Sequence, residues 1–439
     1  MKLPFSKLII SLILALLLAP QADSFTLPQD DPFLIEGLNK CQEFITKKTE
    51  HGQYLELPAF QENISGPKFK MYYWTLQKFN PLKPSLVLIP GGPGQTFHQL
   101  EWVNSEKINM IYFDPRGMGC STPTLDNLIN NPEFYSSEKV AQDLDSLRKF
   151  LNIKKWSVYG HSFGTIPATI YAAKFPDQTR SLILEGTVHE GGKNFWHSPA
   201  RKELVENVWQ SLPSSMKEKI LASFNQRPNS TTWFSQTLLD NLPQGFSPDH
   251  FNERLQRNLK SLNTRDIIPT EYEIEDITPY FSRSAHLILS CKELEADLYS
   301  IKRLFSFSEN KFHQFTDMTY EKNCSEWKII RKTFNHKNFP IKVPTYYLQG
   351  EFDYLTLTKD AHVHYLNNKS DQKYFITLKN GGHNPLSLSL NTFNRETKLN
   401  PLALNLIEKM AAAEALELND FIEFQNLGLS WHVEKAITQ

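Results

Sequence analysis

The chain has 439 residues, 40% of them hydrophobic and 22% charged, with 47 basic against 48 acidic side chains. That balance is ample for one large or two modest hydrophobic cores. A formal charge of -1 with no Lys/Arg block argues against nucleic acid as the natural partner, because phosphate recognition needs a concentrated basic face. Small or neutral substrates fit better.

Lys2 and Lys7 flank the start of an apolar run from Leu8 to Ala19, and Ala22-Asp23-Ser24 then sets small residues at the two positions a signal peptidase inspects. Residues 1–24 therefore read as a secretory signal peptide, and the protein is expected to be secreted or periplasmic. The run is shorter than the roughly 20 apolar residues a bilayer span needs, so no stable membrane association is expected. Four cysteines, Cys41, Cys120, Cys291 and Cys324, lie beyond the signal, an even number in a compartment that permits disulfides. Three pairings are open on paper. With no C-x-x-C and no nearby paired histidines, zinc is not expected. Asn63, Asn229, Asn323 and Asn368 each begin a glycosylation sequon, which matters only in a eukaryotic secretory pathway.

Residues 25–50 read as a helical lead-in, and 53–58 and 68–75 as two early strands with aromatic and β-branched character. Ser85 to Ile89 is a continuous apolar run, as expected of a strand covered on both faces. It ends in Pro90-Gly91-Gly92-Pro93-Gly94, whose glycines let backbone N–H groups come close to a ligand. A second buried strand at 108–113 leads into Asp114-Pro115-Arg116-Gly117-Met118-Gly119-Cys120-Ser121. A helix follows from about 137 to 151, with Val140, Leu144, Leu147 and Leu151 on one stripe. The strand beginning at Trp156 then runs into Gly160-His161-Ser162-Phe163-Gly164, beyond which Ile166, Ile170, Ala173 and Phe175 keep a helical spacing. With a further strand at 181–186, the alternation predicts an α/β fold built on a doubly wound, mostly parallel sheet. From 188 to 340 the alternation stops, and the sequence turns polar, helix-leaning and aromatic-rich, as an inserted, mainly helical cap would. Strands return at 343–350 and 373–378, and apolar helical material follows from 400 to 424. The expected organisation is a core in two parts, 25–187 and 341–439, with the cap 188–340 between them. No internal repeat or low-complexity tract is visible.

Gly160-x-Ser162-x-Gly164 between a strand and a helix is a nucleophile elbow: the serine takes a strained turn, so residues two away must lack bulky side chains. A serine hydroxyl needs a base to take its proton and a third group to hold that base in the right tautomer. Asp353 follows the strand at 343–350, and His383 follows the strand at 373–378 in a glycine loop. Glu351 rivals Asp353 as the acid, and His336, His362, His364 and His432 rival His383, but none of those histidines follows a strand end in a glycine loop. Gly92 (with Gly91 as its rival) and Phe163 are the expected backbone donors to an oxyanion.

Together, Gly91-Gly92-Pro93-Gly94, Asp114-x-Arg116-Gly117-x-Gly119-x-Ser121, Asp143-Leu144-Asp145-Ser146-Leu147-Arg148, the elbow, Gly350-x-x-Asp353 and Gly382-His383 resemble the prolyl iminopeptidase and tripeptidyl aminopeptidase branch of the α/β-hydrolase serine peptidases. The resemblance covers most of residues 50–390. It implies an α/β-hydrolase fold, no cofactor, and peptide substrates bound by a free N-terminus. Leu289-Ser290-Cys291-Lys292-Glu293 and Cys324-Ser325-Glu326-Trp327 look like cysteine-bearing segments of secreted members, which implies a Cys291–Cys324 pair and leaves Cys41 with Cys120. Members hold the substrate ammonium on carboxylates near the cap, which makes Glu293 the first candidate, ahead of Glu185 and Glu190. Asp114 and Arg116 are expected to brace the loop beside the oxyanion donors. Pro90, where many iminopeptidases carry His, and Phe163, where Trp or Tyr is usual, put proline specificity in doubt more than hydrolase chemistry. The alternatives are an esterase with the same triad and a non-catalytic binding protein on this scaffold.

Overall fold

The computed structural model describes residues 41–46, 51–97, 104–122, 126–211, 214–215, 217–218, 282–299, 303–304, 313–315, 324–325, 327–353, 355–379, 381–386 and 399–436. The signal peptide expected at 1–24 and cap residues 221–281 lie outside them.

Nine strands make one sheet: β1 (His51–Pro58), β2 (Lys68–Thr75), β3 (Ser85–Ile89), β4 (Asn109–Phe113), β5 (Trp156–His161), β6 (Thr179–Glu185), β9 (Thr345–Gly350), β10 (Lys373–Leu378) and β11 (Trp431–Lys435). Their order is β1-β2-β4-β3-β5-β6-β9-β10-β11. The run from β4 to β10 is parallel throughout, and the pairs β1–β2, β2–β4 and β10–β11 are antiparallel. Parallel neighbours send their C-terminal ends to one edge, so the loops after β3, β5, β6, β9 and β10 converge there.

Strand alternation sorts the core into two layers. Val87, Ile89, Val158, Leu182, Leu184 and Tyr347 face one of them. Leu86, Leu88, Tyr159, Ile183, Tyr346 and Leu348 face the other. The first layer is covered by helices α1 (Ser137–Phe150) and α2 (Thr165–Lys174). α1 starts where the Ser136 side chain accepts from Lys139 N, and it buries Val140, Leu144 and Leu147, one turn apart in succession. The second layer is covered by α6 (Leu399–Ala411) and α7 (Asn419–Asn426), through Leu406, Ile407, Met410, Phe421 and Phe424. Helix α5 (Thr358–Asn367) follows β9 and buries Ala361 and Tyr365.

β6 and β9 are neighbours in the sheet, yet the connection between them spans residues 186–344. It carries α3 (Pro199–Ser211), α4 (Arg283–Glu293) and a small ribbon of β7 (Arg303–Leu304) with β8 (His313–Phe315). The ribbon and the closing strand β11 are additions to the sequence-based expectation. Disulfides join Cys41 to Cys120 and Cys291 to Cys324. Among the described residues no helix is long and apolar enough to cross a membrane.

Of the sequons, Asn63 is exposed. Asn368 is buried, its amide donating to Tyr347 Oη at 3.1 Å and its carbonyl accepting from Ser370 N at 2.8 Å, so its side chain is engaged in the fold and not presented to solvent. Asn229 and Asn323 lie outside the described residues.

Candidate active site

β5 delivers Ser162 into a single 3-10 turn, Ser162–Gly164, from which α2 continues. Ser162 has φ +53°, a left-handed conformation that L-residues rarely adopt. Both flanking glycines are required by contact. A Cβ on Gly160 would lie 2.5 Å from Gly164 O, and one on Gly164 would lie 2.4 Å from Pro90 O. The elbow is thus pressed against the end of β3, which is what brings the glycine-rich loop to the serine.

In that loop a Cβ on Gly91 would lie 3.0 Å from Ser162 Cβ, and Gly92, at φ +110°, precedes a cis peptide to Pro93. The first N–H groups of a helical turn have no intrahelical acceptor, and Phe163 lies in such a turn. Phe163 thus follows the serine within the turn, and of the two expected loop donors Gly91 is the one that stands against the serine. The cap reaches the same loop: Ser282 N donates to Gly94 O at 2.8 Å, and His286 Nδ1 lies 3.0 Å from Pro93 O, which sets α4 across it.

Asp353 is fully buried just past β9. Its Oδ1 accepts from Leu355 N and Thr356 N, both at 2.9 Å, and its Oδ2 accepts from Thr356 Oγ1 at 2.7 Å. Both oxygens lie 3.0 Å from His383 Nδ1. Burial alone would push this carboxyl up, but the facing His383 ring and the Thr356 hydrogen bonds hold it below the ordinary carboxylate range. An ionised acceptor at Nδ1 keeps the proton there and makes Nε2 the acceptor nitrogen of the neutral ring. The His383 ring packs 5.0 Å, centroid to centroid, from the ring of His161, the residue before Ser162. Burial, with His383 adding to it, pushes His161 down to about 3. Gly186 admits the ring: at φ +63° its Cβ would lie 3.0 Å from His383 Cε1.

The Asp114–Ser121 segment is structural. Asp114 Oδ2 accepts from Cys120 N at 2.7 Å, and Arg116 binds Asp143 through Nε at 2.8 Å and Nη2 at 2.7 Å. Arg116 Nη1 also donates to the carbonyls of Ala59 and Phe134. A Cβ on Gly119 would meet Asp114 and Thr96, two residues past the glycine-rich loop, so Asp114 stands near that loop, whereas the partners of Arg116 are Asp143, Ala59 and Phe134.

Glu293, the expected amine anchor, ends α4 with its carboxylate turned to the N-terminus of α1. Its oxygens accept from Ser137 N at 2.7 Å and Ser137 Oγ at 2.5 Å. It lines a cleft of about 530 Å³ with Ser136, Lys139, Ile166, Ile170 and Phe334, and none of Ser162, Asp353 or His383 is in that wall. Its own partners give it the place of a cap-to-core brace. Of the reserve candidates, Glu185 is fully buried, and Glu190 bonds Asn194 and Asn335. Burial pushes the Glu293 carboxyl from an ordinary 4.5 up to about 7, against the lowering effect of the Ser137 hydrogen bonds. The folded state therefore holds this proton more tightly than the unfolded chain. The resulting stability is full below pH 4.5 and is lost as pH rises through about 7. The swing is on the order of 3 kcal/mol. Urea melts of wild type against Glu293→Gln, which cannot ionise, should show their difference changing by that amount across the window, wild type losing ground as pH rises. A difference that is flat with pH contradicts the assignment.

The sequence reading did not find Thr356 or Gly186. The D-x-x-T spacing of Asp353 and Thr356 was the available signal for the first, since an Asp often accepts from the N–H groups two and three residues on. Nothing local marks Gly186. Among the described residues, the one cluster with metal-ligand spacing is Cys291, Asp297 and Cys324, and its cysteines are joined as a disulfide.

A family model described as alpha/beta hydrolase fold matches residues 84–389. The chain belongs to the alpha/beta hydrolase fold family. Within that family it is similar to the proline iminopeptidase of Xylella fastidiosa (strain 9a5c), 28% identical over 189 residues, which are 40% of this chain and 56% of that protein. It is also similar to the serine protease Hip1 of Mycobacterium tuberculosis (strain ATCC 25618 / H37Rv), 30% identical over 152 residues, 24% of this chain and 29% of that protein. The chain spans about half or less of the length of the curated relatives it matches. Among solved structures, the proline iminopeptidase of Mycobacterium smegmatis matches with a TM-score of 0.46 at 15% identity, over 82% of this chain and 100% of that one.

Proposed function

We propose that this protein is a secreted serine aminopeptidase that releases N-terminal residues, proline or short peptide units, through an acyl-enzyme on Ser162. The observation that carries the reading is the strained Ser162 elbow beside a His383 whose Nδ1 is held by the buried Asp353. In this reading His383 Nε2 takes the Ser162 proton as Oγ adds to the scissile carbonyl, then gives it to the leaving amine as the C–N bond breaks. Water repeats the sequence in reverse roles, releasing the acid and restoring Ser162. The N–H groups of Gly92 and Phe163 hold the oxyanion. None of these steps calls on a metal or organic cofactor. The names of the relatives supply the substrate class, and Glu293, engaged with Ser137, braces the cap rather than the substrate.

The test is hydrolysis by the mature protein of aminoacyl and tripeptidyl amides with free and with blocked N-termini, alongside a simple acyl ester. Cleavage of free-amine amides but not of blocked ones, lost in Ser162→Ala, supports the reading and names the preferred residue. Turnover of the ester alone, or indifference to blocking, replaces it with an esterase.

A further inference from the structure

β6 ends in a charge that the chemistry above does not use. Glu185 is fully buried between the serine-bearing and acid-bearing strands, paired in register with His161 on β5 and Leu348 on β9. Its Oε1 accepts from Leu386 N at 2.6 Å, and its Oε2 accepts from the Tyr159 hydroxyl. Burying a carboxylate is costly unless donors meet it, and an aliphatic side chain would fill the same layer without that cost. What Glu185 adds is a grip on one backbone N–H, three residues beyond His383. Gly186, the next residue, is the one against which the His383 ring rests. Tyr159 is buried on β5, two residues before His161, so the grip ties the histidine turn to the strand that carries the nucleophile.

We infer that Glu185 is a positioning residue for the general base: through Leu386 N–H and Tyr159 Oη it sets the His383–Leu386 turn, and so the line from Asp353 through His383 to Ser162. It acts through the turn and touches neither substrate nor the transferred proton. Removing the carboxylate frees the turn, and a displaced ring keeps its chemistry but loses its alignment. Misplacement of about 1 Å costs on the order of 100-fold in rate.

The inference rests on the hydrolase reading, and the experiment separates the two. Turnover of p-nitrophenyl acetate is compared for wild type, Glu185→Ala, Glu185→Gln and Tyr159→Phe, with circular dichroism and thermal melting as checks on folding. Glu185→Ala should lower kcat by roughly 100-fold with KM within about threefold, and should move the acidic limb of the pH–rate profile to lower pH as the ring loses contact with Asp353. Glu185→Gln should recover most of kcat and the wild-type limb, since its carbonyl still accepts from Leu386 N while its amide donates to the Tyr159 oxygen. Tyr159→Phe, which leaves the carboxylate in place, should lose kcat by about threefold to tenfold, the worth of one hydrogen bond, and it decides the matter if Glu185→Ala does not fold. A folded Glu185→Ala with kcat within about twofold of wild type, Ala and Gln variants equally impaired, or an unaffected Tyr159→Phe overturns the inference and leaves the hydrolase reading standing. A wild-type protein with no turnover and no fluorophosphonate labelling of Ser162 removes both.

Discussion

Replacing His383 by alanine lowers kcat by roughly 10⁴- to 10⁶-fold, and adding Asp353→Asn to that variant lowers it no further. The reason lies in the chain of dependence. In the proposed mechanism His383 is the base for Ser162, and Asp353 serves catalysis through its Nδ1 contact at 3.0 Å. Asp353→Asn alone should cost about 10⁴-fold, because an amide can offer its own N–H to Nδ1 and so favour the tautomer whose Nε2 carries the proton and cannot accept another. Thr356 would still satisfy the asparagine carbonyl, so the variant should fold and bind substrate with KM little changed. Single-turnover rates for the two single variants and the double variant check this directly. Additive losses would show that Asp353 has a second role.

Arg116→Met should destabilise the fold by about 3 to 5 kcal/mol, the cost of leaving a buried charge without its partner. Arg116 is 1% exposed and forms a two-pronged ion pair with Asp143, itself 1% exposed. The rings of Phe69 and Phe134 flank its guanidinium at 4.9 and 5.0 Å. Burial already pushes the Asp143 carboxyl up, with the arginine pulling it back, so without Arg116 this buried group loses the partner that favours its charged form. The carbonyls of Ala59 and Phe134 lose their donor as well. Pairing the substitution with Asp143→Leu should recover much of the loss, since an apolar pair of similar volume is often as stable as a buried ion pair. Thermal unfolding of both variants is the check. A double variant no more stable than Arg116→Met would mean that the carbonyl contacts, not the charge, carry the energy.

What the sequence makes legible follows from locality. β2, β3 and β10 agree residue for residue with the apolar runs read from the sequence, since prolines, glycines or polar residues bound each run within a residue or two. The triad residues are legible for a similar reason: Ser162, Asp353 and His383 each follow a strand, in turns whose glycines are required by close approach, as at Gly160, Gly164 and Gly350. β11 escapes because Trp-His-Val-Glu-Lys at a sheet edge buries only Trp431 and shows no apolar run. The engagement of Glu293 with Ser137 is not legible in the sequence because the two lie 156 residues apart, and a cap residue seen from sequence shows its charge but not its donors. The Cys291–Cys324 pair came from resemblance, and geometry agrees with it.

The measurement that bears most directly on the account is active-site labelling of the mature protein with a fluorophosphonate, followed by peptide mapping. A single adduct is expected on Ser162, absent in Ser162→Ala and strongly slowed in His383→Ala. No adduct, or an adduct on another residue at comparable rate, would contradict it.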